Sequence, residues 1–131
     1  MTQAPDRIHR LLEDELGECR PEDVETRLRE IQHLADRAFK EDPARRAFAV
    51  LGDETRYRLA RALTVSGEEL CVCELERLVD VSESAVSHAL SDLVEAGLVG
   101  RRKERTWRYY RSTELANALF ATADRQVVAD A

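Results

Sequence analysis

Residues 80–97 read DVSESAVSHALSDLVEAG, and this stretch decides the architecture. At helical spacing Val86, Ala89, Leu90, Leu93 and Val94 fall on one side, while Ser84, Ser87, His88, Ser91 and Glu95 form the opposite stripe. Ser82 suits an N-cap and Gly97 a C-terminal stop. One face therefore belongs to a core. The other is a row of short or planar hydrogen-bonding groups, which can approach base edges in a DNA major groove closely. Asp92 and Glu95 lie toward the far end, so Glu83 is the only acid at the leading end. His88, alone on a polar face, reads as a surface or DNA-contacting group before a metal ligand.

Immediately upstream, EELCVCELERLV (68–79) predicts a second helix, and residues 80–82 leave a three-residue turn between the two. Helix, tight turn, helix is the result. Further upstream, DPARRAFAVLGDETRYRLARALTVSGEE (42–69) divides at Gly52 and Asp53: the glycine closes one short helix and the aspartate caps the next. Leu59, Ala60 and Leu63 supply the apolar stripe of that second piece. Downstream, LVGRRKERTWRYYRS (98–112) has β-branched and aromatic residues flanking a charged tip, the pattern of a hairpin. TELANALFATADRQVV (113–128) closes the chain as an amphipathic helix. Ahead of all this, residues 1–42 read as two helices broken at GECRPED (17–23), where Gly17 stops one and Pro21 opens the other.

Charge adds a local exception to the average. The chain carries a net −6, which by itself argues against a phosphate-rich partner. Between Leu98 and Arg111, however, Arg101, Arg102, Lys103, Arg105, Arg108 and Arg111 face Glu104 alone, so this hairpin holds +5 and the rest of the chain −11. A basic hairpin directly after a helix-turn-helix is what a winged helix needs: the helix enters the major groove and the hairpin grips neighbouring phosphates. The predicted fold is mainly α with a small β-hairpin, a winged helix-turn-helix over residues 43–131 carrying an N-terminal helical extension over 1–42. Its DNA-contacting candidates are Ser84, Ser87, His88 and Ser91 on the helix, and Arg101, Arg102, Lys103, Arg105 and Arg108 on the wing.

Other classes fit less well. At 131 residues a core forms without disulfides or a structural metal. A charged N-terminus and the lack of a long apolar run argue against a signal peptide or a membrane partner, so a cytoplasmic location with reduced thiols is expected. A thiol enzyme would need an activated nucleophile beside a base, and a metal carrier an exposed loop site. His9, His33 and His88 are scattered, and no phosphate-binding or metal-hydrolase motif appears. The expectation is not an enzyme, and no organic cofactor.

LGDETRYRLARAL (51–63), ELCVCEL (69–75), VSESAVSHALSDLVEAGLV (81–99) and RRKERTWRYYR (101–111) together resemble successive landmarks of the ArsR/SmtB family of metal-sensing winged-helix repressors. The resemblance implies a homodimer on double-stranded operator DNA with two half-sites, released when an inducer binds. It implies dimer contacts around Ala44 to Leu51 and Glu114 to Val127. ELCVCEL resembles the thiolate site of the family's arsenite and cadmium/lead sensors, with Cys71 and Cys73 matching both thiolates. The third cysteine of one arsenite-sensing branch is replaced here by Glu76. Cys19 is the one candidate for the N-terminal thiolate that a cadmium-sensing branch uses. The family's second zinc site falls on Glu114, Ala116, Val127 and Asp130, a set without histidine that predicts no zinc there. Ala89 stands for a histidine usual in the family's recognition helix, and Arg105 for the usual glycine at the hairpin tip.

Two cysteines either side of Val72 pose a geometric problem if they lie on a regular helix, where residues two apart point about 200° apart. One ion bonded to each sulfur at about 2.3 Å needs them within roughly 4 Å. Capture is therefore predicted to unwind or distort the first turn and pull a half-buried thiol outward. Soft thiolates select arsenite foremost, with antimonite, cadmium, lead or copper(I) as alternatives, over magnesium or calcium. An alternative keeps the winged helix but makes the thiols a redox switch.

Overall fold

The computed structural model describes the backbone of residues 3–130 and the side chains of residues 6–127. Asp130, one of the positions matched to a second zinc site, has its side chain outside the described residues. By internal contacts the chain divides into two units, Met1–Asp42 and Pro43–Ala131.

The first unit holds α1 (Gln3–Leu16) and α2 (Pro21–Phe39). Gly17 ends α1 at φ +79°, a conformation that costs a residue with a side chain more than it costs glycine, and its N–H bonds the Glu13 carbonyl at 2.8 Å. Pro21 opens α2, and the Asp23 carboxylate accepts the Arg20 N–H at 2.9 Å. Leu12 is buried, but α2 has no buried residue, and Leu28, Ile31, Leu34 and Phe39 all remain exposed.

The second unit runs α3 (Pro43–Leu51), α4 (Glu54–Ser66), β1 (Leu70–Cys71), α5 (Val72–Leu75), a 3-10 turn (Glu76–Leu78), α6 (Glu83–Glu95), β2 (Val99–Glu104), β3 (Trp107–Ser112) and α7 (Glu114–Asp130). Local chemistry sets the ends of these elements. Asp53 caps α4 by accepting the Arg56 N–H at 3.0 Å, and Ser82 caps α6 by accepting the Ala85 N–H at 3.1 Å. Gly97, at φ +77°, turns the chain out of α6; Leu98 N–H reaches back to the Leu93 carbonyl and Gly97 N–H to that of Val94, both at 3.0 Å. The Thr113 hydroxyl donates to the Gly97 carbonyl at 2.7 Å, tying the start of α7 to the end of α6.

The sheet is antiparallel in the order β1-β3-β2. Leu59, Leu63, Leu75, Leu90, Leu93 and Leu98 are completely buried, with Val86, Val99 and Tyr110 beside them, so α4, α5, α6 and the sheet share one core. Each such aliphatic side chain withdrawn from water contributes roughly 1.5–3 kcal/mol. That core fixes where the polar stripe of α6 and the hairpin point.

One element departs from expectation. EELCVCELERLV is not one helix: Leu70 and Cys71 are extended and pair with Tyr110 and Tyr109, and only four residues of α-helix follow before the 3-10 turn. The expected hairpin is thus the larger part of a three-stranded sheet. The backbone groups of β3 that would otherwise form an open edge find partners in β1, and this outweighs continuing the helix backward.

Candidate thiol site and nucleic-acid interface

Cys71 ends β1 and serves as the N-cap of α5, with extended φ −70° and ψ 151°. Its N–H is held by the Glu74 carboxylate at 2.8 Å. Because Cys71 is extended and Cys73 helical, the two side chains do not diverge as on a regular helix. The Cys73 thiol donates to the Cys71 sulfur at 2.9 Å. Capture of one ion therefore needs no unwinding, which corrects the expectation above; the sulfurs have only to part slightly, toward roughly 4 Å. Cys71 is buried and Cys73 exposed, giving the pair one anchored and one accessible member. The hydrogen bond to Cys71 pushes the Cys73 thiol above its usual range, helped by partial desolvation and by the nearby Glu74 carboxylate.

Cys19 lies in the break between α1 and α2, half-buried, with its thiol 3.6 Å from the Arg20 carbonyl. Partial burial, then Asp23 and Glu13, raise its pKa. Among the described residues, no three His, Cys, Asp or Glu side chains gather as a metal-holding cluster within the chain.

On α6 the residues sort by face, with Val94 of the apolar side only partly buried. Val86, Ala89, Leu90 and Leu93 are buried, while Ser84, Ser87, His88 and Ser91 are exposed along one stripe. The two acids at the far end have arginine partners: Asp92 lies 3.6 Å from Arg56 and Glu95 3.5 Å from Arg46. Repulsion of phosphates by that end is thereby reduced.

The wing sorts its cations by strand alternation. Arg101 pairs with Tyr110 and Lys103 with Arg108, so these cations share the sheet face on which Tyr110 is buried. Arg101, Lys103 and Arg108 are exposed, and among the described residues none has a carboxylate partner. Arg105 sits at the tip with φ +59°, occupying the left-handed conformation that a glycine would take more easily.

Arg102 differs from the other wing cations. It lies on the opposite face, where its Nε meets both oxygens of Glu69 at 2.7 and 3.0 Å and its Nη1 meets Glu104 at 2.8 Å. Its guanidinium rests 4.6 Å from the centre of the Tyr109 ring. Hydrogen bonds to Glu69 and then Glu104 raise its pKa further, and Arg102 in turn lowers that of Glu69. Sequence reasoning missed Glu69 and Tyr109. Glu69 and Arg102 stand 33 residues apart, and no local pattern links them.

Residues 53–100 match the model of the bacterial regulatory protein arsR family. The chain is 48% identical over 118 residues to a Halobacterium salinarum protein bearing the name arsenical resistance operon repressor ArsR, an alignment covering 87% of this chain and 90% of that one. It is 38% identical over 63 residues to the cadmium resistance transcriptional regulatory protein CadC of Listeria innocua, covering 48% and 52% respectively. Among solved structures it resembles the homodimeric winged helix-turn-helix DNA-binding domain of Mb0332 from Mycobacterium bovis, with TM-score 0.58 and 31% identity over 68% of this chain and 80% of that one. It also resembles reduced HlyU from Vibrio cholerae, with TM-score 0.56 and 29% identity over 64% and 87%.

Proposed function

Because this chain belongs to the ArsR family of regulatory proteins, we propose that it is a repressor that holds its operator as a homodimer and leaves it when a thiophilic metal or metalloid binds Cys71 and Cys73. It is a DNA-binding transcriptional regulator and not an enzyme. The observation that carries the inducer reading is the 2.9 Å separation of two free sulfurs at the head of the helix that precedes α6. Arsenite is the foremost inducer, given the arsenical and cadmium resistance names of its relatives and the preference of paired thiolates for soft ions. Antimonite, cadmium, lead and copper(I) follow, and Cys19 is the candidate third thiolate. The protein works in the cytoplasm, where its DNA and its reduced thiols would be.

In this reading Ser84, Ser87, His88 and Ser91 meet base edges, while Arg101, Lys103, Arg105 and Arg108 meet phosphates. Arg102 is left out of that set, because its guanidinium is already engaged by two carboxylates. An apolar groove of about 290 Å³ lined by Ala44, Ala47, Phe48, Leu115 and Leu119 supports a dimer formed through α3 and α7. Ion capture shifts β1 and α5, whose Leu75 shares the core with Val86 and Leu90 of α6. Coupling of ~1–3 kcal/mol would weaken operator binding by roughly 5- to 150-fold.

The decisive test is a gel-shift titration on DNA upstream of the protein's own gene, with each ion compared. The double substitution Cys71→Ser and Cys73→Ser is expected to retain operator binding and abolish release; release that persists in it would remove this site. The same sulfur proximity favours a second reading, in which hydrogen peroxide takes two electrons from the pair to leave a Cys71–Cys73 disulfide and two waters. Release by peroxide without release by any ion would select it.

A further inference from the structure

We propose that Glu69 and Arg102 form the link by which ion capture at Cys71 and Cys73 reaches the DNA-gripping wing. The inference rests on the thiol reading above and specifies its route. Cys71 pairs with Tyr109, and Tyr109 pairs with Arg102, so the three residues stand side by side across the sheet on one face. Glu69, one residue before β1, crosses the intervening strand and grips Arg102 through both carboxylate oxygens. The Tyr109 ring backs the guanidinium at 4.6 Å, and Glu104 holds its other side at 2.8 Å. The thiol strand and the outer wing strand are thus joined twice, by backbone pairing through β3 and by a side-chain clamp over it.

Both partners of this clamp are partly exposed, and ion pairs of that kind contribute little to stability. Its use lies in direction. β1 is only two residues long, so when an ion spreads the sulfurs, Cys71 cannot move without Glu69. Glu69 then draws on Arg102, whose chain neighbours Arg101 and Lys103 are exposed on the opposite face of β2 and have no carboxylate partner among the described residues. A shift at the thiols therefore changes where the wing cations stand relative to α6. The alternative role for Arg102, a phosphate contact, would require it to leave both carboxylates.

The test uses the full chain, with cadmium chloride and arsenite as probes. Cadmium–thiolate absorbance reads ion binding, a gel shift reads operator affinity, and the emission of Trp107, the only tryptophan and a wing residue, reads the wing. Glu69→Gln is expected to bind the operator no more weakly than wild type and to take up cadmium with unchanged affinity. Its loss of operator affinity on ion binding should fall from the roughly 5- to 150-fold range to less than about twofold, and the Trp107 response should vanish. Arg102→Gln should show the same uncoupling. If Glu69→Gln releases the operator as wild type does, the link is overturned while the thiol reading stands. If Arg102→Gln lowers operator affinity with a salt dependence flatter by about 0.9, Arg102 is a phosphate contact and the link is again overturned. A wild-type protein that binds neither ion removes the thiol reading and the link together.

Discussion

Cys73 holds its proton against the Cys71 sulfur, and this has a consequence for ion binding. A thiol whose pKa is raised stays protonated at neutral pH, so an incoming ion must displace that proton. Affinity for cadmium is therefore expected to fall as pH is lowered, about tenfold per pH unit for each proton displaced, and to rise with pH until Cys73 ionises unaided. Thiolate absorbance titrations at several pH values check this; an affinity independent of pH would mean that Cys73 is not a ligand. At the wing tip, Arg105 bears a left-handed φ of +59° that costs a residue with a side chain roughly 1–2 kcal/mol. Arg105→Gly relieves that strain but gives the unfolded chain more freedom, which offsets about 0.4–1 kcal/mol. The expected outcome is a small rise in Tm accompanied by weaker, less salt-sensitive DNA binding. A fall in Tm would mean that the arginine makes contacts outweighing its strain.

At the scale of elements, α6 and the wing divide the work. Leu90 is completely buried where α6 meets the core, so Leu90→Ala should cost about 2–5 kcal/mol in denaturant unfolding. Ser82→Ala removes only the cap and should cost about 1 kcal/mol. A Leu90→Ala penalty no larger than that of the cap would contradict the packing of α6. On β2, replacing Arg101 and Lys103 by glutamine should weaken binding to all DNA alike and reduce the slope of log affinity against log salt by about 0.9 for each lost phosphate contact. Loss of sequence preference at an unchanged salt slope would instead place these side chains at base edges.

For the whole molecule, the apolar groove between α3, α7 and Ala96 sets the prediction. Phe48 is 62% exposed, so a charge placed there leaves the core of the chain untouched. Phe48→Glu is expected to keep its helical circular dichroism, to sediment as a monomer, and to lose affinity for an operator with two half-sites. A dimeric Phe48→Glu protein with full operator affinity would remove α3 from the interface. Among the described residues no helix is long and apolar enough to cross a membrane.

Element ends were legible because their signals are local: Gly17, Asp53, Ser82 and Gly97 each act within one turn of their own position, and each does so in the structure. The faces of α6 were legible for the same reason, since 3.6-residue periodicity is written in adjacent residues. The strand β1 was not, because two extended residues leave no alternation to read and their pairing depends on Tyr109 and Tyr110 of β3, far along the chain. From that one pairing follow the short α5, the 2.9 Å approach of the sulfurs, and the place from which Glu69 reaches Arg102. By itself the sequence determined a helix-turn-helix with a basic wing and two thiols at its head. Tertiary structure alone decided that the thiols meet and which wing cation the carboxylates of Glu69 and Glu104 engage, because both depend on backbone pairing between segments distant in the chain.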